Sequence, residues 1–460
     1  WNSCLASDKR IKSCGRLGPE IEGLIDDKYL KNLKNIDDKN ILTEIIKKDW
    51  SKIKYVNPEL IEKDIALKAV SENGFAFSYI PEKLKNIYDE TEYKKSMEYE
   101  KERHRFWLIK SVFSTILILV FLSFWIFWKI YDFVFSQTWS EFFANLLFVW
   151  ILFLGQVLLN IPFSYYWNFV IEEKFWFNKM TKKIFFLDIL KSVLLGLVIW
   201  WLLFSALLWV YSFFPNNFWL YAWIIIVLFM IFSIMFYQSL ISPLFNKQTP
   251  LQEWELRDKI EKFAKKEWFK LDNIFVIDWS KRSTKANAYF SGFWPKKRIV
   301  LFDTLINDLT TDELVAVLAH EIGHYQEKHI FKMLFISIAQ TWIILFILWI
   351  VLNHLEFWIA LWSQTSSLAL WIIAFSIVFS PLSMVFEIFW NILSRKHEYE
   401  ADKYSWIRLN PENLKDALIK LSKNSLTNLA PHPAYEFFYY SHPTILKRIE
   451  ALEKMKVWQN

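Results

Sequence analysis

Residues 218 to 243 read FWLYAWIIIVLFMIFSIMFYQSLISP, a run without a single Asp, Glu, Lys or Arg. Wound as a helix at 1.5 Å per residue it measures about 39 Å, longer than the roughly 30 Å hydrocarbon core of a bilayer. A helix apolar on every side at that length belongs in lipid, where its own backbone hydrogen bonds satisfy every N–H and C=O. Five further segments are long and apolar with at most two charged residues each: 107 to 128, 142 to 163, 186 to 211, 331 to 352 and 368 to 391. The fold class expected is therefore an all-α integral membrane protein with about six transmembrane helices.

The 460 residues are 54% hydrophobic and 22% charged, which excludes a disordered or fibrous chain. A net charge of +6, from 54 Lys and Arg against 48 Asp and Glu, is too mild to argue for a nucleic-acid partner. It fits basic residues flanking a lipid bilayer. Those residues alternate: the loops 129 to 141, 212 to 217 and 353 to 367 carry almost no Lys or Arg, whereas 164 to 185, 244 to 330 and both ends carry nearly all of it. The positive-inside rule then predicts a multi-pass protein of the cell membrane with both termini cytoplasmic. Cys4 and Cys14 both lie in the first fifteen residues, so no cysteine metal site is expected.

Residues 1 to 104 are polar and Lys-rich, show no signal-peptide pattern, and read as a soluble helical extension. Within it Ile41 to Leu60 resembles Ile65 to Leu84 at an offset of 24, pairing Ile41 with Ile65, Tyr55 with Tyr79 and Val56 with Ile80. Two short helical repeats of this kind suit packing or the binding of a protein partner.

Tryptophan and glycine are out of balance: 26 Trp stand beside 8 Gly, where roughly 32 Gly would be usual at about 7%. An interfacial aromatic belt enriches Trp but does not remove glycine. A gene in which UGA encodes glycine, translated with UGA as tryptophan, produces this imbalance. In register with the repeats, Trp50 falls opposite Gly74, just past a helical run where a glycine cap belongs.

The chemistry is carried by His320-Glu321-Ile322-Gly323-His324, an H-E-x-x-H within Asp312 to Gln326, where Leu314, Val317, Leu318 and Ile322 recur at helical spacing. Histidines four apart point the same way and bind one Zn²⁺ per chain, while Glu321 sits beside the metal as general base for the bound water. A catalytic zinc takes a third protein ligand. Glu398 and Asp402, spaced i and i+4, offer a ligand and a carboxylate to orient a ligating imidazole, with His397 the competing third ligand. His104, His329, His354 and His432 carry no such pattern and are expected in solvated or capping roles.

Together these residues resemble the integral-membrane zinc metalloproteases of the CAAX prenyl protease type and their bacterial relatives. The likeness extends from about Ile87 to Leu452 through Phe169-Val170-Ile171-Glu172-Glu173-Lys174-Phe175, Ser242-Pro243-Leu244-Phe245-Asn246-Lys247, Ser280-Lys281-Arg282-Ser283, Asn287-Ala288-Tyr289-Phe290, Arg298-Ile299-Val300-Leu301-Phe302-Asp303-Thr304-Leu305 and Tyr440-Ser441-His442-Pro443. It implies zinc on His320, His324 and Glu398, Glu321 as base, His442 as oxyanion donor, and Asn287 and Arg448 on the substrate side. It also implies peptide or membrane-protein substrates hydrolysed in a chamber. A sister subfamily of quality-control proteases shares the H-E-x-x-H core, and the intact Glu321 argues against an inactive scaffold. Trp176, Trp254, Trp268, Trp279 and Trp294 stand where the family pattern has glycine.

The organisation expected is an extension (1 to 104), four transmembrane helices (105 to 245), a catalytic stretch with a small sheet over 274 to 302 (246 to 330), two more transmembrane helices (331 to 394), and a segment bearing the third ligand (395 to 460).

Overall fold

The computed structural model describes residues 89 to 457 except 254, 270 to 272, 292 to 297, 353 to 366 and 430. The N-terminal repeats lie outside the described residues, as do Trp50, Trp254, Trp294 and His354. Helix α1 (Glu90–Ser123) opens on a capping box between Asp89 and Glu92. It is followed by α2 (Ile126–Ser136), α3 (Glu141–Tyr166), α4 (Lys182–Phe213), α5 (Phe218–Phe236) and the single turn α6 (Ser242–Phe245). The ends of α3 and α5 continue as π-helical turns, Trp167–Glu172 and Tyr237–Ile241.

Beyond them come β1 (Gln248–Pro250), α7 (Glu255–Lys266), β2 (Asn273–Ile277), β3 (Ala288–Ser291), β4 (Arg298–Phe302), α8 (Asp303–Asp308) and α9 (Thr311–Gln326). The chain then forms α10 (His329–Leu352), α11 (Leu368–Arg408), α12 (Pro411–Ser425), α13 (Pro433–Tyr439) and α14 (Ile445–Val457).

Among the described residues, six helical stretches are long and apolar enough to cross a membrane: Thr91–Ser123, Glu141–Glu172, Lys182–Phe213, Pro215–Phe245, His329–Leu352 and Leu368–Arg408. The number matches the sequence reading, but the helices outrun the apolar segments. The boundary expected at residue 104 falls inside α1, and that at 394 inside α11, because good helix formers such as Glu, Lys and Arg carry a helix past the lipid. The first segment also behaves differently. Its expected span to residue 128 is broken at Trp125, whose backbone is left-handed. Inside the bundle Asn145 is buried, and its Oδ1 accepts from Ser367 Oγ at 2.9 Å and the Ala369 N–H at 3.0 Å, tying α3 to the start of α11.

The small sheet has the order β1-β2-β4-β3, with β2 and β4 parallel and β3 antiparallel at the edge. Strand β4 carries Ile299, Val300 and Leu301 in succession, and all three are fully buried because elements cover both faces. Leu314, Leu318 and Ile322 of α9, Ile260 and Phe263 of α7 and Ala417 of α12 join the same core.

The first turn of α9 is set by a capping box: the Glu313 N–H donates to Thr310 Oγ1 at 3.4 Å, and the Thr310 N–H donates to Glu313 Oε2 at 2.7 Å. Burial works against the Glu313 carboxylate, yet Lys420 at 2.7 Å and the Thr310 cap hold its pKa below the ordinary value. Its stabilisation of α9 is therefore complete above the ordinary carboxylate pKa and is lost as pH falls through the lowered one.

Helix α9 crosses α11 at Gly323. A Cβ there would stand 2.9 Å from Tyr404 Cβ and 3.2 Å from Ala401 Cα, so only glycine allows the approach. Gly323→Ala is expected to separate the helices by tenths of an ångström and cut kcat/KM on the order of 10-fold or more, with a lowered Tm. Unchanged kinetics would show the crossing to be compliant.

Of the non-glycine residues with positive φ among those described, three are Trp: Trp125 (56°), Trp176 (67°) and Trp268 (53°). Trp176 and Trp268 are 75% and 96% exposed, so no packing offsets the strain. A bulky residue in this region costs roughly 1 to 3 kcal/mol, and glycine nothing. Trp279 is different: it starts a short 3₁₀ turn without positive φ. Peptides of the protein from its native host are expected to carry glycine at 125, 176 and 268 when read by mass spectrometry. Trp176→Gly and Trp268→Gly should each raise Tm in recombinant protein; native tryptophan at these positions would refute the recoding.

Candidate active site

Helix α9 presents His320 and His324 toward α11, which presents Glu398 back. The His320 and His324 Nε2 atoms are 3.1 Å apart, His324 Nε2 lies 3.3 Å from Glu398 Oε1, and His320 Nε2 lies 3.6 Å from Glu398 Oε2. A tetrahedral zinc with bonds of 2.0 to 2.2 Å sets its ligand atoms about 3.3 to 3.5 Å apart. The two Nε2 atoms and the two Glu398 oxygens are thus spaced close to the edges of a metal-ion coordination sphere. With both Nε2 atoms unprotonated, all of these atoms are acceptors, and the arrangement repels itself unless a cation sits among them. Among the described residues His320, His324 and Glu398 form one of two groups able to hold a metal ion.

Behind the ligands lies a buried ionic layer. Asp402 Oδ1 is 2.9 Å from His320 Nδ1. Arg448, on α14, donates to both Asp402 oxygens, from Nε at 2.8 Å and Nη2 at 2.6 Å, and its Nη1 is 3.2 Å from Glu398 Oε2. Burial is the largest influence on His320 and opposes its charge, but the Asp402 hydrogen bond together with the Asp402 and Glu398 charges outweighs it and holds the imidazole above its ordinary value. Burial also opposes charge on Arg448, and the Asp402 and Glu398 carboxylates more than compensate. Arg448, expected from the family likeness on the substrate side, is buried with its guanidinium on the carboxylates of the metal group. Glu321 is partly buried on the same helix, close enough for its charge to act on Arg448.

His442 sits in the turn between α13 and α14, its Nε2 3.4 Å from Glu398 Oε1 and its side chain 62% exposed. Ser441 Oγ is 2.9 Å from its Nδ1. Arg395, one turn before Glu398, donates to the carbonyls of Glu436, Phe437 and Tyr440 and so pins the segment leading to His442. A cavity of about 400 Å³ opens beside His442, bordered by Tyr99, Arg103, Lys285, Asn428 and Tyr440. Asn287 is exposed at the start of edge strand β3, where its Oδ1 accepts the Ala288 N–H at 2.9 Å.

The other histidines divide. His432 caps α13, accepting the Ala434 N–H at 3.2 Å, and His104 pairs with Glu100 at 2.9 Å, both in keeping with capping or solvated roles. His329 does not keep to that expectation. It is 3% exposed and lies between His324 and Glu400, because α10 begins directly behind the H-E-x-x-H helix. His397 is turned away from the ligand atoms of Glu398 and stacks on His329 with centroids 4.0 Å apart. Arg282, quoted above only as part of the family likeness, forks onto Asp188 at 2.8 to 3.0 Å and reaches Asn246 at 2.6 Å, joining the sheet region to α4, a role that sequence reading did not assign.

Comparison with known proteins places this geometry. Residues 76–247 match the family described as CAAX prenyl protease N-terminal, five membrane helices, and residues 250–456 match Peptidase family M48. Four of the six candidate spans fall in the first of these stretches. Residues 38–85, which hold the two repeats, match a domain of unknown function. CAAX prenyl protease 1 of Saccharomyces cerevisiae is 34% identical over 400 residues, covering 81% of this chain and 88% of that protein. The Homo sapiens homolog is 30% identical over 426 residues, covering 82% and 90%. The crystal structure of S. mikatae Ste24p superposes with a TM-score of 0.76 at 33% identity, covering 85% of this chain and 99% of that one. With such likeness sustained across both the membrane helices and the metal-binding helix, the chain belongs to the M48 peptidases of the CAAX prenyl protease type, and is a multi-pass membrane metalloprotease.

Proposed function

We propose that the metal is a single zinc ion held by His320, His324 and Glu398, and that the protein hydrolyses peptide bonds near the C-terminus of CAAX-type substrates. The observation that carries this reading is the convergence of two imidazole Nε2 atoms and the Glu398 carboxylate at 3.1 to 3.6 Å, with His320 Nδ1 already committed to Asp402. Bound there, zinc supplies Lewis-acid polarisation of the scissile carbonyl and of a water molecule. Glu321 takes one proton from the attacking water as its oxygen bonds the carbonyl carbon. The same carboxyl then protonates the amine nitrogen as the C–N bond breaks. His442, on the open side of Glu398, donates to the developing oxyanion. Arg448 holds Asp402 and Glu398 in place, which keeps the imidazole of His320 in the tautomer that leaves Nε2 free.

An extended peptide fits the free side of β3, which is an edge strand beside α9, by backbone pairing, with Asn287 at its entrance. The cavity beside His442 is suited to the residues flanking the cleaved bond. The CAAX assignment rests on the relatives, whose printed names are CAAX prenyl proteases. The lysine and arginine bias of alternate loops supports a cytoplasmic active site and cytoplasmic termini.

Purified protein is expected to hold about one zinc per chain. Glu321→Gln should keep that zinc and lose hydrolysis by on the order of 100- to 10,000-fold. Asp402→Ala should weaken zinc by roughly 10- to 100-fold, and Glu398→Ala by more. Full peptidase activity after zinc is stripped and verified absent would sink the reading. Cysteines placed in 129 to 141 and 353 to 367 should react with an impermeant reagent added outside cells, while those in 164 to 185 should not; the reverse pattern inverts the topology.

A further inference from the structure

His320 has its ring oriented by Asp402; at the Nδ1 of the second histidine, His324, the partner among the described residues is another imidazole. His324 Nδ1 is 3.0 Å from His329 Nδ1, and His329 Nε2 is 2.8 Å from Glu400 Oε2. Glu400 is itself flanked by Lys332 at 3.9 Å and Lys396 at 3.8 Å, which favours the ionised carboxylate. A carboxylate only accepts, so the His329 proton sits on Nε2. Its Nδ1 then carries a lone pair and accepts from His324 Nδ1–H, and that leaves the His324 Nε2 lone pair directed at the metal.

His329, His397 and Glu400 also bring ligand atoms within 4.8 Å of one another, which raises a second metal ion as the rival reading. Ring geometry decides against it. An imidazole binds a metal in the plane of its ring, and the His329 and His397 rings lie 4.0 Å apart and only 15° from parallel. An ion in the plane of one is well out of the plane of the other. In the catalytic group, by contrast, the His320 and His324 rings meet at 83° and their Nε2 atoms converge.

We propose that His329, held by Glu400, is a positioning residue that fixes the tautomer and ring orientation of His324 for metal binding, the counterpart of Asp402 behind His320. The proposal rests on zinc binding at His320, His324 and Glu398. Its test is zinc affinity of metal-free protein measured by competition with a chelating dye, together with the visible absorption of the Co²⁺ form. His329→Ala should weaken zinc by roughly 10- to 100-fold and alter the Co²⁺ spectrum. His329→Asn, whose Oδ1 can accept where Nδ1 did, should recover most of both, which a merely space-filling residue would not predict. His397→Phe keeps the stacked ring and should leave zinc affinity and spectrum as they were. Wild-type affinity in a folded His329→Ala protein, or no recovery in a folded His329→Asn protein, overturns the proposal. So does a second zinc equivalent in the wild type that His397→Phe removes. A wild type that binds no zinc would instead refute the catalytic metal site itself.

Discussion

The close crossing of α9 over α11 is the constraint on which the rest of the site depends. Three side chains that could hold a metal ion come from two helices far apart in sequence, and they meet because Gly323 lies against Ala401 and Tyr404 with no room for a Cβ. One methyl group at that point lengthens every distance between the H-E-x-x-H helix and Glu398. Glycine in a helix interior costs about 1 kcal/mol in propensity, and the capping box at Thr310 together with the buried face of Leu314, Leu318 and Ile322 offsets it.

Closeness of this kind gathers charge in a place that burial would otherwise forbid. His320, Glu398, Asp402 and Arg448 are all buried, and each is in contact with at least one of the others. Removing any partner leaves an uncompensated buried charge, a far larger penalty than the pair's own net contribution. The layer is thus a device for geometry. It holds two carboxylates and an imidazole against rotation, so that a metal bound there would meet ligands already oriented.

Helices leaving the membrane serve the same end. Helix α11 runs for 41 residues, about 60 Å, so the span that crosses lipid continues without a joint into the stretch bearing Glu398 and Asp402. The π-helical turn at the end of α3 redirects Glu172 inward, where Tyr99 Oη donates to it at 2.5 Å and Lys285 reaches it at 2.8 Å. That contact ties α1 and α3 to the segment entering β3. The cavity beside His442 is consequently walled by a membrane helix, a sheet segment and the C-terminal helices together.

Much of this was legible in residue order. Apolar runs of twenty or more residues with almost no charge admit one solution, a spanning helix, because lipid leaves the backbone no other partner. His320, Glu321 and His324 share a helix, so their spacing alone sets their relation. Of the tryptophans that the sequence singled out as misplaced glycines, Trp176 and Trp268 are left-handed and Trp279 is not, while the left-handed Trp125 was not among them. What only the tertiary structure decided is where separate elements meet. Between Glu398 and His397, adjacent in sequence, the choice of partner for the H-E-x-x-H helix turns on the rotation of α11 about its axis, which the packing of Ala401 against Gly323 sets. Arg448 became a clamp on Asp402 because α14 docks behind the metal group. His329 became buried because α10 starts within three residues of α9's end and folds it against Glu400 of α11. Spacing within one helix is a property of the chain; contact between helices is a property of packing, and no run of residues records it.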